Sequence, residues 1–226
     1  TQFGPNEDFD TYPRDFEHYE RVAKEANVDY LFYPSVEEMY KPSRSVAITV
    51  TDRVDVLCGQ KRPGHFDGVA TVLTKLFHIV TPDRAYFGKK DAQQVAVVDG
   101  LIEDFNFPVE LRAVDTVREA DGLAKSSRNV YLTDKEREEA PVLFKSLQSA
   151  LQLLESGEKH VEIIKQAIRK EIVQYTSGKV DYIEVYTYPE LKTIKQAAGK
   201  IIIALAVQFS KARLIDNVIV DVQGDN

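Results

Sequence analysis

The stretch Arg84-Ala-Tyr-Phe-Gly-Lys-Lys-Asp-Ala-Gln-Gln94 runs from a predicted β-strand directly into a predicted α-helix. Gly88 allows the backbone to come close to a ligand, and the N–H groups of the opening helical turn offer an anion site. Lys90 would add a positive charge beside that site. The alternative is that Asp91 only caps the helix and that both lysines, Lys89 and Lys90, are solvated.

The sequence on both sides of this junction repeats the alternation of strand and helix. The predicted strands are residues 29–33, 45–50, 84–87 and 109–114, and the predicted helices are residues 15–27, 69–80 and 92–105. Strands and helices that alternate with short connections are typical of a parallel α/β sheet, whose ligands bind beyond the carboxyl ends of the strands. Residues 1–116 are therefore predicted to form a Rossmann-like parallel-sheet domain.

The second half of the chain has a different pattern. Two long charged helices are predicted at residues 134–157 and 159–174, and three strands follow at residues 180–188, 200–209 and 213–222. Helices followed by an antiparallel sheet indicate a smaller α+β domain, which we assign to residues 117–226. Pro141 is the one strong helix breaker in the first helix, and the charged run 136–139 is interpreted as a solvated helix face.

Between the two predicted domains lies Asp121-Gly-Leu-Ala-Lys-Ser-Ser-Arg-Asn129, which we expect to be a surface loop. An ammonium and a guanidinium neutralise phosphate oxygens, and serine hydroxyls and backbone N–H groups can complete the hydrogen bonding. The alternative is a solvated turn that is merely basic. Gly122 in this loop would permit the C-terminal domain to move as a lid.

The composition narrows the possible functions. The net charge of −7 argues against general nucleic-acid binding, and no apolar run is long enough to span a membrane, so a cytoplasmic location is predicted. Neither a Walker A motif nor a fixed metal-ligand cluster is apparent, so magnesium would have to arrive on a nucleotide. His65, in a basic loop before a helix, could position a carboxylate or cap the helix.

Four blocks of sequence, taken in order, resemble the pantothenate synthetase (pantoate–β-alanine ligase) family, and the resemblance covers all 226 residues. The blocks are Thr1-Gln-Phe-Gly-Pro-Asn-Glu-Asp-Phe-Asp-Thr-Tyr-Pro-Arg14, Arg62-Pro-Gly-His-Phe-Asp-Gly68, Phe87-Gly-Lys-Lys-Asp-Ala-Gln-Gln94 and Val117-Arg-Glu-Ala-Asp-Gly-Leu-Ala-Lys-Ser-Ser-Arg-Asn129. The resemblance implies a nucleotidylyltransferase first domain, a homodimer, and a two-step reaction. Pantoate first reacts with Mg-ATP to give pantoyl adenylate and pyrophosphate, and β-alanine then displaces AMP to give pantothenate.

The resemblance also implies roles for individual residues. The expected catalytic residues are Lys90, Ser126 and Arg128. The expected nucleotide-binding residues are Gly88, Lys89, Lys90, Asp91, Val117, Lys125, Ser126, Ser127 and Arg128. Gln2 and Gln94 are expected to bind pantoate, with Gln2 also near β-alanine.

The sequence departs from the family at its start. The family's Pro-Thr-Met-Gly segment and His-x-Gly-His pair normally precede the block that begins with Gln2, and Thr1 stands where a methionine would open a chain. We therefore expect that an N-terminal segment is missing and that this chain alone is inactive or nearly so. Two alternatives remain: an adenylate-forming relative that acts on another small carboxylic acid, and a non-catalytic truncated module.

Overall fold

The computed structural model describes residues 1–4, 15–43 and 45–223. Its α-helices are α1 (Phe16–Glu25), α2 (Val36–Met39), α3 (His65–Val80), α4 (Ala92–Asp104), α5 (Asp134–Glu139), α6 (Val142–Glu155) and α7 (Val161–Tyr175). Its strands are β1 (Arg84–Gly88), β2 (Glu110–Val114), β3 (Lys179–Thr187), β4 (Gly199–Gln208) and β5 (Arg213–Val222). Short 3₁₀ helices occur at Gly59–Lys61, Lys89–Asp91 and Ser127–Tyr131.

The first sheet is the parallel pair β1–β2, joined through helix α4. Its register runs from Arg84 opposite Glu110 to Gly88 opposite Val114. Helices α3 and α4 pack against this pair through a shared apolar cluster that includes Val69, Phe77, Val97, Val98 and Val109. This strand–helix–strand unit confirms the predicted parallel α/β arrangement around the opening stretch.

Two of the predicted strands are absent from the described residues. Residues 30–35 and 46–50 have no regular secondary structure, and Tyr30 and Val46 are 90% and 77% exposed. Aromatic and β-branched residues favour a strand only where a neighbouring strand supplies hydrogen bonds and packing. No described strand pairs with either segment, so these two predictions were wrong. The predicted loop at residues 2–14 falls mostly outside the described residues.

The second sheet is antiparallel, in the order β3–β4–β5, with β4 in the middle. Residues 201–207 of β4 are at most 4% exposed, so this strand is buried on both faces. Alternate side chains enter different clusters. Ile201, Ile203 and Leu205 pack with α6 and α7, whereas Ile202 and Ala204 pack with Ala92 and Ala96 of α4. The predicted α+β second half is confirmed.

Helix α4 lies between the two sheets. Its residues Val97 and Val98 belong to the cluster beneath β1 and β2, while Ala92 and Ala96 belong to the cluster against β4. Small alanine side chains allow this helix to approach the second sheet closely. The amino end of α4 is therefore fixed from two directions, and it is at this end that the candidate site lies.

The helix predicted at residues 134–157 is two helices, α5 and α6, which meet at Pro141. Proline lacks a backbone N–H and clashes with the preceding turn, so it tends to end a helix. Helix α5 begins with a capping box between Thr133 and Glu136. Glu136 is only 7% exposed and also accepts a hydrogen bond from Ser210 N at 2.7 Å. The interpretation of residues 136–139 as a solvated face was wrong for Glu136, because its buried carboxylate accepts hydrogen bonds from Thr133 and Ser210.

We expect Glu136→Gln to lower the unfolding temperature at neutral pH, because a neutral amide accepts weaker hydrogen bonds than a carboxylate. Hydrogen bonds from the Thr133 and Ser210 backbones lower the pKa of Glu136 from 4.5 to about 2. A lowered folded-state pKa stabilises the protein above 4.5, and this stabilisation is lost as the pH falls toward 2. The difference in unfolding temperature between wild type and Glu136→Gln should therefore decrease as the pH falls from 4.5 to about 2. Thermal unfolding followed by circular dichroism measures this difference. The exposed neighbour provides the control, Glu138→Gln; an equal deficit in both variants would contradict the prediction.

Candidate functional site

A cavity of about 970 Å³ opens between the amino end of α4, the loop at residues 117–129, and β5. This volume lies in the range of small-molecule sites. Six of the residues predicted from the sequence line it: Gln2, Lys90, Asp91, Gln94, Ser126 and Arg128. Arg62, His65 and Phe66 of the second block line it as well, so the structure brings together residues from all four sequence blocks in one cavity.

Gln2 is placed by contacts with the start of α3. A Cβ atom on Gly68 would lie 2.2 Å from Thr1 O, so only glycine permits this close approach. The Nδ1 atom of His65 is 2.8 Å from Gln2 O, and Arg62 Nη1 is 2.9 Å from His65 Nε2. Because a carbonyl oxygen can only accept and a guanidinium can only donate, the ring carries its proton on Nδ1. His65 therefore orients the backbone of Gln2 and lies beside the cavity.

The turn at Lys89–Asp91 separates its two lysines. Lys89 Nζ forms an ion pair with Asp115 Oδ1 at 2.7 Å, and this hydrogen bond lowers the pKa of Asp115. Lys90 lines the cavity and forms no ion pair with the described residues. Asp91 occupies the N-cap position of α4 but makes no capping hydrogen bond through its side chain. The alternative interpretation, in which Asp91 merely caps the helix, was therefore wrong.

Gly88 has an ordinary extended backbone, with φ −75° and ψ 130°. A Cβ built on this residue would meet no atom within 4 Å. Glycine is thus not required here by the protein's own geometry. Close approach of a ligand to Gly88 stays a prediction.

The loop at residues 117–129 is folded back on itself as a small hairpin. Lys125 N donates to Val117 O at 2.9 Å. Arg137 donates to Asp121 and Glu119, each at 2.6 Å, and so ties the hairpin to α5. Gly122 has φ 94°, and a Cβ there would lie 2.9 Å from the ring of Phe144. The loop is therefore held at several points, and glycine at 122 serves this packed turn.

The carboxyl half of the loop presents Ser126 and Arg128 to the cavity. Ser126 Oγ accepts a hydrogen bond from Arg128 N at 3.3 Å, which starts the 3₁₀ helix Ser127–Tyr131. Asn129 Nδ2 donates to Ala124 O at 3.1 Å and so closes the turn. Other predicted nucleotide contacts, Val117, Lys125 and Ser127, lie outside the cavity lining, as do Gly88 and Lys89.

Gln93 has a structural role that the sequence reasoning missed. It is 6% exposed, and its Nε2 donates to Arg53 O at 2.9 Å and Val56 O at 2.8 Å. Its Oε1 accepts from Gly59 N at 3.3 Å. Both glutamines line the cavity, but the amide of Gln93 is bonded to the loop that leads to Arg62.

The far end of the cavity is formed by residues that are distant in sequence. Asp181 pairs with Lys61 and with Arg213, whose Nε lies 2.9 Å from Asp181 Oδ2. Burial raises the pKa of the Tyr182 hydroxyl, which lies 3.5 Å from Cys58 Sγ. The sequence reasoning missed this group because only the packing of β3 and β5 against residues 58–61 assembles it.

Within residues 1–4, 15–43 and 45–223, no group of three or more histidine, cysteine, aspartate or glutamate side chains could hold a metal ion. Within the same residues, no helix combines the length and the apolar character needed to cross a membrane.

Comparison with known sequences gives one consistent family. The family model for pantoate–β-alanine ligase matches residues 1–219. The pantothenate synthetase of Geobacillus sp. (strain WCH70) is 64% identical over 221 residues, which are 98% of this chain and 78% of that protein. The pantothenate synthetase of Bacillus subtilis (strain 168) is 60% identical over 222 residues, which are 98% of this chain and 77% of that protein.

Solved structures agree with the sequence comparison. Pantothenate synthetase from Thermus thermophilus has a TM-score of 0.91 at 41% identity, with 99% of this chain and 80% of that chain covered. Pantoate–β-alanine ligase from Francisella tularensis, crystallised with β-γ ATP and β-alanine, has a TM-score of 0.73 at 30% identity, with 97% and 75% covered. Because the family model spans almost the whole chain and these relatives share both its sequence and its fold, the chain belongs to the pantoate–β-alanine ligase family.

Proposed function

We propose that the protein condenses pantoate with β-alanine at the expense of ATP, through a pantoyl adenylate. The observation that carries the proposal is a single cavity in which two cationic side chains, Lys90 and Arg128, lie with the two amides of Gln2 and Gln94. The cations suit a nucleotide triphosphate, and the amides suit a hydroxy acid with a carboxylate. In the Francisella relative, the crystal contained an ATP species and β-alanine, which supports the same substrates here.

In the first step, a carboxylate oxygen of pantoate attacks the α-phosphorus of ATP. The bond from the α-phosphorus to the bridging oxygen breaks, and pyrophosphate leaves with the electron pair. The protein's part is to align the reactants in line and to stabilise charge on the phosphate oxygens. We assign charge stabilisation to Lys90 and Arg128, hydrogen bonding of the phosphates to Ser126 and alignment of pantoate to Gln94.

In the second step, the neutral amine of β-alanine attacks the acyl carbon of the adenylate. A carbon–nitrogen bond forms, the acyl–phosphate bond breaks, AMP leaves, and the nitrogen loses one proton. Gln2 lines the cavity, and His65 fixes its backbone. We therefore assign to Gln2 a contact with pantoate and a position near the amine of β-alanine. Orientation in a shared cavity is the contribution expected from these residues.

Magnesium is proposed to enter with the nucleotide, as its phosphate oxygens are the ligands that this ion prefers. The donor set of the described residues does not amount to a metal cage, since no three candidate ligands cluster there. Asp91 is the carboxylate that lines the cavity next to Lys90.

We expect Lys90→Ala and Arg128→Ala each to lower pantoate-dependent exchange of labelled pyrophosphate into ATP by about 100-fold or more, because they remove charge stabilisation of the transferring phosphoryl group. The assay omits β-alanine, so it isolates the first step. Lys170→Ala, an exposed change on α7, is the matched control and should leave exchange unchanged. Exchange within a few-fold of wild type in both site variants would show that the assignment is wrong.

The neighbouring glutamines give a second prediction. Gln94→Ala should raise the KM for pantoate more than the KM for ATP and leave the unfolding temperature nearly unchanged. Gln93→Ala should instead lower the free energy of unfolding by about 1–3 kcal/mol, because it removes the donor to the partly buried carbonyl of Arg53 and leaves Val56 O with Gly59 N as its partner. Steady-state kinetics and chemical denaturation of both variants test this division, and equal effects on both properties would contradict it.

The relatives described above favour pantoate over another small carboxylic acid and favour a ligase over a non-catalytic module. Exchange with a panel of acids tests the substrate directly. The expectation that residues 1–226 alone are inactive stays a prediction, which the same assay tests on this chain and on the longest reading frame that contains it. The homodimer and the cytoplasmic location also stay predictions.

A further inference from the structure

Two adjacent polar residues, Asp216 and Asn217, are buried in the middle of β5. They are 3% and 7% exposed, and both line the cavity. Neighbouring residues of a strand point to opposite faces of the sheet. Leu214 and Val218 pack toward α6 and α7, and Ile219 packs toward α4, so Asp216 faces α6 and α7 while Asn217 faces α4.

Asp216 holds the loop that carries Ser126 and Arg128. Its carboxylate accepts two hydrogen bonds from Arg118, with Nη1 to Oδ2 at 2.7 Å and Nη2 to Oδ1 at 2.9 Å. The same guanidinium donates to Gly122 O at 3.1 Å and lies 3.6 Å from the ring centroid of Phe144. A paired guanidinium with two parallel bonds fixes orientation as well as distance. The hairpin is therefore anchored to β5 at its root.

Asn217 holds the other segment. Its Nδ2 atom donates to Lys89 O and to Lys90 O, both at 2.9 Å. A side-chain amide nitrogen carries two hydrogens, and here each of them has a carbonyl partner. A carboxylate in the same place would bring its oxygens against the carbonyl oxygens of Lys89 and Lys90, and all of these atoms are hydrogen-bond acceptors. This position therefore requires an amide, and the amide fixes the backbone of the residue whose side chain faces the cavity.

We propose that Asp216 and Asn217 are positioning residues that hold the two phosphate-facing segments in register across β5. Through Arg118 and through the Lys89–Lys90 carbonyls, they set the separation of Arg128 from Lys90. The inference rests on the proposed function, because it assigns to this separation the alignment of the ATP triphosphate. If Asp216 and Asn217 contributed only to stability, they would not need to hold two different segments of the site.

The experiment measures pantoate-dependent pyrophosphate exchange in wild type, Asn217→Asp and Asn217→Ala. Both changes remove the two N–H donors, and the first keeps the size of the side chain. We expect the KM for ATP to rise by about 10- to 100-fold, as for other small displacements of catalytic groups, with the KM for pantoate within about twofold. Asp221→Asn, an exposed change on the same strand, is the control and should leave both constants unchanged.

A cycle with Lys90→Ala then tests whether Asn217 acts through Lys90. In that background, Asn217→Ala should raise the KM for ATP by less than about threefold, because the group that it positions is gone. Equal factors in both backgrounds, or equal changes in the two KM values, would overturn the proposal. So would loss of folded protein in both Asn217 variants, which would make the residue structural. All of these variants are made in the longest reading frame that contains residues 1–226, because residues 1–226 alone are expected to be inactive. Absence of exchange in that wild-type protein would count against the proposed function instead.

Discussion

The burial of β4 on both faces is the constraint from which the arrangement of this protein follows. Residues 201–207 are at most 4% exposed, so helices must cover both sides of the β3–β4–β5 sheet. One cover is α6 with α7, and the other is α4, which also belongs to the β1–β2 unit. Because α4 serves both sheets, its amino end is fixed against β5. A cavity at this end is bounded by elements from both halves of the chain.

This constraint explains why polar residues within a sheet can organise a site. Side chains on β5 next to β4 are withdrawn from water, so Asp216 and Asn217 must find partners in the protein. Their partners are a guanidinium on one face and two backbone carbonyls on the other. A buried ion pair or amide adds little net stability over an apolar residue, but it specifies one geometry. These contacts thereby attach the loop at residues 117–129 and the turn at Lys89–Asp91 to the sheet.

Local sequence signals predicted the parts of the fold that depend on nearby residues. The β1–α4–β2 unit and the three-stranded sheet both carry periodic signals, whereas the helix predicted at residues 134–157 is divided at Pro141 into α5 and α6. Residues 29–33 and 45–50 were misassigned because a strand depends on a partner, which composition does not reveal. Glu136 was misassigned for a related reason, since its acceptor role depends on Ser210, far along the chain. Six predicted site residues share the cavity, but the anchoring contacts of Gln93 and Asn217 carry no sequence signal, because their partners are backbone atoms of other segments.

The charges around the cavity show how a protein with a net negative charge can bind an anionic ligand. The chain carries a net charge of −7, so its long-range field opposes a nucleotide triphosphate. Over distances longer than roughly 10 Å, salt screens that field, and local cations decide the interaction. Several cations near the site are already matched, as Lys89 is by Asp115 and Arg118 by Asp216. Lys90 has no ion-pair partner among the described residues, so its charge is available to a ligand. The residue that positions its backbone, Asn217, carries a neutral amide, whereas a carboxylate there would partly neutralise that charge.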